Sequence, residues 1–99
     1  MKFSDARAVV TGGASGLGQA VARHVVAQGG TAAMLDVQDV PGQQAARELG
    51  ARAHYFNCDV TAEAAVNGAM NAAAAAMGGI NLLVNCAGIV GSARALGKN

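Results

Sequence analysis

Between its first apolar run and its first helical stripe, the sequence reads Thr11-Gly12-Gly13-Ala14-Ser15-Gly16-Leu17-Gly18. Glycines between a strand and a helix let a pyrophosphate meet bare backbone N–H groups at the helix N-terminus, where the helix dipole favours an anion. Gly12 would permit the tight turn, Gly16 would let the phosphate approach, and Gly18 would let the helix pack on the strand. Ser15 would add a hydroxyl donor. The segment predicts a dinucleotide-binding loop, and the alternative is a glycine-rich turn without a ligand.

Apolar runs and helical stripes alternate along the rest of the chain. Strands are predicted at 8–10, 31–35, 53–56 and 80–84. The helix stripes lie between them, the first at Leu17, Val21 and Val25, the second opened by Pro41-Gly42, and the third capped by Thr61. Such alternation implies a parallel sheet with right-handed crossovers. The fold class is therefore α/β, a Rossmann-type doubly wound sheet with strand order 3-2-1-4, and residues 1–99 form one domain.

Composition excludes several classes of protein. Of the 99 residues, 53% are hydrophobic and 13% are charged, so the chain is not disordered. A formal net charge of +1 indicates neither nucleic-acid binding nor attraction to an anionic membrane, and no apolar stretch is long enough to span a bilayer. The N-terminus does not resemble a secretion signal, and two cysteines are too few for a disulfide framework. A reducing, cytoplasmic location is expected.

Asp36 closes the second predicted strand. A carboxylate at this point can accept two hydrogen bonds from the hydroxyls of an adenosine ribose. It would also repel a 2′-phosphate, by about 4 kcal/mol for unit charges about 4 Å apart at an effective dielectric constant near 20. Neither Val37 nor Gln38 offers a positive charge to offset that repulsion. The pattern favours NAD over NADP.

Two further motifs follow the third and fourth strands. Asp59-Val60 would place a carboxylate near an adenine amino group, although a plain helix-entry carboxylate is an equally good interpretation. Asn85-Cys86-Ala87-Gly88 would lie beside the glycine segment at the switch point of a 3-2-1-4 sheet, where ligands bind. Its small residues would leave room for a ribose, and a simple glycine turn is the alternative.

Other polar side chains give weaker signals. His24 and His54 lack metal-ligand spacing, so no metal site is predicted. Cys58 and Cys86 would sit on strands about 14 Å apart at about 4.8 Å per strand, too far for a disulfide. Tyr55 has no lysine four residues later to lower its pKa, so a structural role is predicted for it.

Taken in order, the four motifs resemble the N-terminal half of a short-chain dehydrogenase/reductase. The family pattern is Thr-Gly-x-x-x-Gly-x-Gly, an acidic residue after the second strand, Asp-Val after the third, and Asn-Asn-Ala-Gly after the fourth. The departure here is Cys86 in place of the second asparagine. The glycine segment and the Val-Asn-Cys-Ala-Gly-Ile run look closest to the branch of type-2 3-hydroxyacyl-CoA and hydroxysteroid dehydrogenases. The resemblance implies cofactor contacts at Ser15, Leu17, Asp36, Asp59, Val60 and Cys86.

That resemblance implies an NAD-dependent hydride transfer between a secondary alcohol or ketone and the cofactor, in a homo-oligomer, typically a tetramer. The family's catalytic Tyr-x-x-x-Lys is not present in these 99 residues, whose two lysines are Lys2 and Lys98. No catalytic residue is therefore assigned, and the chain is expected to be the cofactor-binding half of a longer enzyme. The alternatives are a non-catalytic NAD(H)-binding module and, more remotely, a methyltransferase, whose usual acidic residue in strand one is replaced here by Val9-Val10.

Overall fold

Each strand and helix expected from the sequence is present in the computed structural model, which describes residues 2–86. A short 3-10 helix (Phe3–Asp5) precedes the first strand. The elements are then β1 (Arg7–Thr11), α1 (Gly16–Ala27), β2 (Thr31–Asp36), α2 (Asp39–Leu49), β3 (Ala53–Asn57), α3 (Glu63–Met77) and β4 (Leu82–Asn85). No helix within residues 2–86 combines the length and the apolar character needed to cross a bilayer.

The four strands form one parallel sheet in the order β3-β2-β1-β4, which confirms the predicted 3-2-1-4 arrangement. In the register, Val9 of β1 lies between Ala33 of β2 and Leu83 of β4. Because all strands run the same way, their carboxyl ends lie at one edge of the sheet. The glycine segment after β1 and Asp36 at the end of β2 are therefore neighbours at that edge.

Side chains alternate between the two faces of the sheet and form a core on each. One core contains Val10 and Met34 and packs against α1 and α2; its other buried members are Ala6, Ala8, Ala22, Val25, Val26, Ala32, Ala45 and Ala53. The opposite core contains Val9 and Leu35 and packs against α3; its other members are Ala33, Cys58, Ala69, Ala73 and Met77. Both faces of the central strands are covered, as a doubly wound sheet requires.

The starts of two helices differ from the prediction. Helix α2 begins at Asp39, two residues before Pro41, because a proline in the first turn lacks only an N–H that has no helical partner. The predicted cap of α3 at Thr61 is wrong, since the helix begins at Glu63 and its N-cap residue is Ala62, without a side-chain cap. Thr61 instead donates both its N–H (2.9 Å) and its hydroxyl (2.6 Å) to Oδ1 of Asp59.

Strand β4 begins at Leu82, two residues later than predicted. The side chain of Asn81 explains the shift, because its Oδ1 accepts the backbone N–H of Arg7 at 2.7 Å and its Nδ2 donates to the carbonyl of Asp5 at 2.8 Å. An amide side chain thus links this segment to the start of β1 before regular strand pairing begins. The polarity of Asn81 therefore limits the apolar run that the sequence presents from Ile80 onward.

Candidate functional site

The loop between β1 and α1 is shaped by glycines, of which Gly13 and Gly18 have no room for a side chain. Gly12 has φ 69°, a left-handed conformation that favours glycine, and this confirms its role in the tight turn. The N–H groups of Gly12 (2.8 Å) and Gly13 (3.3 Å) both donate to the carbonyl of Leu35. A Cβ on Gly18 would overlap the Gly12 carbonyl oxygen and lie 2.7 Å from the Gly13 Cα. Gly18 therefore lets α1 pack against the backbone of the loop at Gly12 and Gly13, whereas the prediction was that it lets α1 pack on the strand.

The N-terminus of α1 presents backbone donors next to this loop. Ser15 is the N-cap residue; its hydroxyl donates to the Gly12 carbonyl at 2.7 Å and accepts the Gly18 N–H at 3.1 Å. The N–H groups of Gly16 and Leu17 have no acceptor among residues 2–86, and both residues are exposed. Ser15 thus orders the first turn, and two N–H groups at the positive end of the helix dipole remain available for an anion.

Asp36 holds its carboxylate beside the same loop. Its Oδ2 accepts the N–H of Ala14 at 3.0 Å, and its Oδ1 accepts those of Val37 at 2.7 Å and Gln38 at 3.3 Å. A carboxylate has about four acceptor positions, so about one remains for a first ligand hydroxyl. The long bond from Gln38 is the one that a second hydroxyl would replace. The carboxylate is therefore fixed by backbone donors and still able to bind a diol.

A cleft of about 270 Å³ lies at this edge of the sheet and brings half of the predicted residues together. It is lined by Gly12, Ser15, Leu35, Asp36, Val37, Gln38, Cys58, Asp59, Val60 and Cys86. Within residues 2–86, its lining contains two carboxylates and no basic side chain. Gly16, Leu17 and Gly18 adjoin the cleft through the first turn of α1, whereas Ala87 and Gly88 lie outside the described residues.

Residues that follow the two outer strands, β3 and β4, line opposite ends of the cleft. Hydrogen bonds from the hydroxyl and the N–H of Thr61 lower the pKa of the Asp59 carboxyl, so Asp59 is charged at neutral pH. Burial, together with the charge of Asp59, raises the pKa of the Cys58 thiol, which is therefore a poor nucleophile. Cys86 is half-buried, and both cysteines are free.

Asn85 joins the ends of β1 and β4. Its Oδ1 accepts the hydroxyl of Thr11 at 2.6 Å, and the N–H of Cys86 donates to the Thr11 carbonyl at 2.9 Å. These bonds bring the Asn85–Cys86 turn next to the glycine loop, as the sheet order predicts. The turn can therefore contact a ligand that extends from the loop toward β4.

A polar cluster that sequence reasoning missed lies behind Asp36. The hydroxyl of Tyr55 is 2.8 Å from the Asp36 carbonyl oxygen and 2.7 Å from Oδ1 of Asp39, which also accepts Nδ2 of Asn57 at 2.8 Å. The alternation of side chains along β3 could have indicated this cluster. Residues 53, 55 and 57 share one face of the strand, so Tyr55 and Asn57 lie on the face covered by α2. The half-buried Tyr55 hydroxyl on this helix-covered face requires a polar partner.

Comparison with known proteins agrees with this geometry. The profile of the short chain dehydrogenase family matches residues 6–98. The chain belongs to the short chain dehydrogenase family. Short chain dehydrogenases are oxidoreductases that use NAD or NADP. This membership rules against the methyltransferase alternative.

Individual short chain dehydrogenases are similar over most of the chain. Zerumbone synthase of Zingiber zerumbet is 44% identical over 93 residues, which are 92% of this chain and 35% of that protein. The type-2 3-hydroxyacyl-CoA dehydrogenase of Rattus norvegicus is 45% identical over 82 residues, 83% of this chain and 31% of that protein. The chain thus spans about a third of the length of these relatives. The second match confirms the resemblance to the type-2 3-hydroxyacyl-CoA dehydrogenases.

A solved structure shows the same fold. The 3-ketoacyl-(acyl-carrier-protein) reductase of Brucella melitensis, complexed with NADH, superposes with a TM-score of 0.75 at 29% identity, covering 77% of this chain and 31% of that one. In the short chain dehydrogenase described here, residues 2–86 contain no group of three or more histidine, cysteine, aspartate or glutamate side chains placed to hold a metal ion.

Proposed function

We propose that the chain forms the NAD-binding part of an enzyme that moves a hydride between a secondary alcohol or ketone and NAD. The observation that carries this proposal is the Asp36 carboxylate, held by three backbone N–H groups beside the open first turn of α1. An anionic pyrophosphate fits the N–H groups of Gly16 and Leu17, and a ribose diol fits Asp36. The space beside Gly16 is open, with no atom within 4 Å of its Cβ position, so a phosphate can approach the first turn of α1 there.

The rest of the cleft fits the two ends of a dinucleotide. Asp59 and Val60 flank the space for the adenine, on the side of Asp36 away from the loop. Cys86 and its neighbour Asn85 lie toward β4, where small side chains leave room for the second ribose. When bound, NAD supplies the acceptor for the hydride, and the residues described here bind and orient it.

We propose NAD rather than NADP on electrostatic grounds. The cleft contains the carboxylates of Asp36 and Asp59, and none of the lysines or arginines in the described part of the chain lines it. A 2′-phosphate on the ribose held by Asp36 would add a negative charge beside a fixed carboxylate, and no cation among residues 2–86 lines the cleft to neutralise it. The NADH complex of the similar reductase supports the same cofactor.

For the substrate, we propose a 3-hydroxyacyl-CoA or a hydroxysteroid-like alcohol, since the type-2 3-hydroxyacyl-CoA dehydrogenase of Rattus norvegicus is 45% identical to this chain. The catalytic acid/base is not assigned to residues 1–99, which contain no Tyr-x-x-x-Lys. A homo-oligomer, typically a tetramer, follows from the family resemblance. The two free thiols favour a reducing, cytoplasmic compartment.

Calorimetric titration of the purified protein with NAD and NADP tests the cofactor. We expect the wild-type protein to bind NAD at least about tenfold more tightly than NADP. Asp36→Asn should weaken NAD binding by about tenfold or more, because hydrogen bonds to a charged acceptor are lost, and should reduce the ratio of NAD affinity to NADP affinity. Asp5→Asn is the matched control, since Asp5 is an exposed carboxylate in the 3-10 helix before β1.

Equal affinity for the two dinucleotides, or an Asp36→Asn protein with unchanged affinity, would contradict the assignment of NAD to this cleft. Turnover of NADH with 3-ketoacyl and ketosteroid substrates, measured after the chain is completed with the catalytic half of a related dehydrogenase, then separates an enzyme from a binding module. NADH binding without oxidation by either substrate class would favour the non-catalytic NAD(H)-binding module.

A further inference from the structure

Tyr55 lies on β3 directly beside Met34 of β2 in the strand register, outside the lining of the cleft. Its hydroxyl is within hydrogen-bond distance of two acceptors, the Asp36 carbonyl at 2.8 Å and the Asp39 carboxylate at 2.7 Å. Desolvation, followed by the hydrogen bond and the charge of Asp39, raises the pKa of Tyr55 well above its usual value. The phenol therefore keeps its proton, and that single proton bridges the two acceptors.

Asp39 completes the link from β3 to α2. Its Oδ1 accepts Nδ2 of Asn57 at 2.8 Å as well as the Tyr55 hydroxyl, and these two bonds, in that order, lower the pKa of Asp39. The acceptor is thus ionised at neutral pH, which strengthens the hydrogen bonds it receives. The Tyr55 ring is held in place by Gly42 of α2, where a Cβ would overlap the ring.

These contacts fix both ends of the connection between β2 and α2. Tyr55 contacts the carbonyl of Asp36 at the start and the side chain of Asp39 at the end, and Val37 and Gln38 lie between them. The N–H groups of Val37 and Gln38 are the donors that hold Oδ1 of Asp36. The position of the connection therefore sets the direction of the Asp36 carboxylate.

We propose that Tyr55 is a positioning residue of the dinucleotide site, whose hydroxyl holds the Asp36–Asp39 connection so that the Asp36 carboxylate faces the adenosine ribose. This inference rests on the proposed function of Asp36 as the ribose acceptor. Tyr55 does not line the cleft and acts through Asp36. It thereby adds a selectivity determinant in β3, 19 positions from the carboxylate that it positions.

The test is Tyr55→Phe in the purified protein, titrated with NAD and with NADP. The variant keeps the ring against Gly42 and removes only the hydroxyl, so the fold is retained. We expect NAD affinity to fall about three- to tenfold, the effect of losing one hydrogen bond, with a smaller change for NADP. The ratio of the two affinities therefore falls. Asp39→Ala, which removes the other acceptor, should act in the same direction.

A double-mutant cycle separates positioning from general stability. In an Asp36→Asn background, Tyr55→Phe should have little further effect on NAD affinity, because the charge that Tyr55 positions is gone. Gln44→Ala is the control on α2, since Gln44 is exposed and its side chain bonds Glu48 alone among residues 2–86, at 3.4 Å. This variant should leave the affinity ratio unchanged.

The proposal is overturned if Tyr55→Phe lowers both affinities equally, if it changes only the melting temperature, or if its effect on NAD persists without the Asp36 carboxylate. If the wild-type protein binds NAD tightly and Tyr55→Phe binds it with the same affinity, this inference is overturned and the proposed function stands. A wild-type protein that binds neither dinucleotide overturns the proposed function, and the role of Tyr55 falls with it.

Discussion

Two neighbouring regions at one edge of the sheet are built in opposite ways. The glycine loop (residues 11–18) presents backbone N–H groups, and its shape depends on side chains being absent. The acidic corner (Asp36, Asp39, Tyr55 and Asn57) presents a carboxylate, and its shape depends on side chains from α2 and β3 bonding to one another.

The two regions differ in how far apart in the sequence their hydrogen-bonded residues are. Ser15 bonds to Gly12 and to Gly18, each three positions away. In the acidic corner, Tyr55 bonds across 16 and 19 positions. The glycine loop is sensitive to an atom added where a glycine is tightly packed, as at Gly13 and Gly18. The acidic corner, which long-range hydrogen bonds hold together, is sensitive to the loss of a single polar group. Substitutions in each region should therefore differ in size and in kind.

The largest loss of stability is expected for Gly18→Ala. The added Cβ would overlap the Gly12 carbonyl oxygen and the Gly13 backbone, and neither can move without breaking the turn. We expect a loss of about 3 kcal/mol in the free energy of unfolding, measured by urea denaturation. Gly68→Ala is the control, because Gly68 lies inside α3 with no atom within 4 Å of its Cβ position. That variant should gain up to about 1 kcal/mol from helix propensity. Equal stability of Gly18→Ala and wild type would mean that the loop is not sterically constrained.

The same contrast decides what the sequence could foretell. The strand order, the turn at Gly12 and the grouping of Asp36, Asp59 and Cys86 around one cleft were predictable, because each follows from periodicity or from a local motif. The acidic corner was not, because Tyr55 and Asp39 share no motif and meet only when β3 lies against α2.

Errors at element ends have a similar cause. Thr61 has the chemistry of an N-cap, but the carboxylate of Asp59 lies nearer to its hydroxyl and N–H and accepts both. Asn81 interrupts an apolar run because Arg7, far away in the sequence, donates to it. In each case a side chain had two possible partners, and only the fold determines which one it bonds.

A smaller loss of stability is expected for Gly42→Ala, which probes the acidic corner by overpacking. The new Cβ would lie 2.8 Å from Cζ of Tyr55 and closer still to the near edge of the ring, which can shift only by straining its bonds to Asp36 and Asp39. We expect a loss of about 1–2 kcal/mol by chemical denaturation. In a Tyr55→Ala background the sign should reverse, since alanine is then only a better helix former. A loss that persists without the ring would place the clash elsewhere.

A still smaller effect is expected from the charge of Asp39. Its bonds to Asn57 and Tyr55 lower its pKa in the folded protein below the ordinary value of 3.8, so the unfolded state binds a proton more readily. This contribution is complete above that value and is lost as the pH falls through 3.8 toward the folded pKa. The advantage of wild type over Asp39→Asn in urea denaturation should therefore be larger at pH 6 than at pH 3. It should be small, because the carboxylate is exposed. An advantage that is the same at both pH values would contradict the assignment.

Gly16→Ala should cost no stability. It therefore distinguishes glycines that the fold of the loop requires from a glycine that ligand binding requires. No atom lies within 4 Å of its Cβ position, and its φ is not in the left-handed region, so alanine should leave the fold intact or stabilise it by about 0.5 kcal/mol. If the pyrophosphate meets the N–H groups of Gly16 and Leu17, that same methyl group occupies the space it needs, and NAD affinity should fall by about tenfold in calorimetric titration. A destabilised Gly18→Ala protein and a stable, weakly binding Gly16→Ala protein would show that neighbouring glycines serve packing and ligand approach separately. Full NAD affinity in Gly16→Ala would instead move the phosphates away from the first turn of α1 and leave Asp36 as the surviving part of the site.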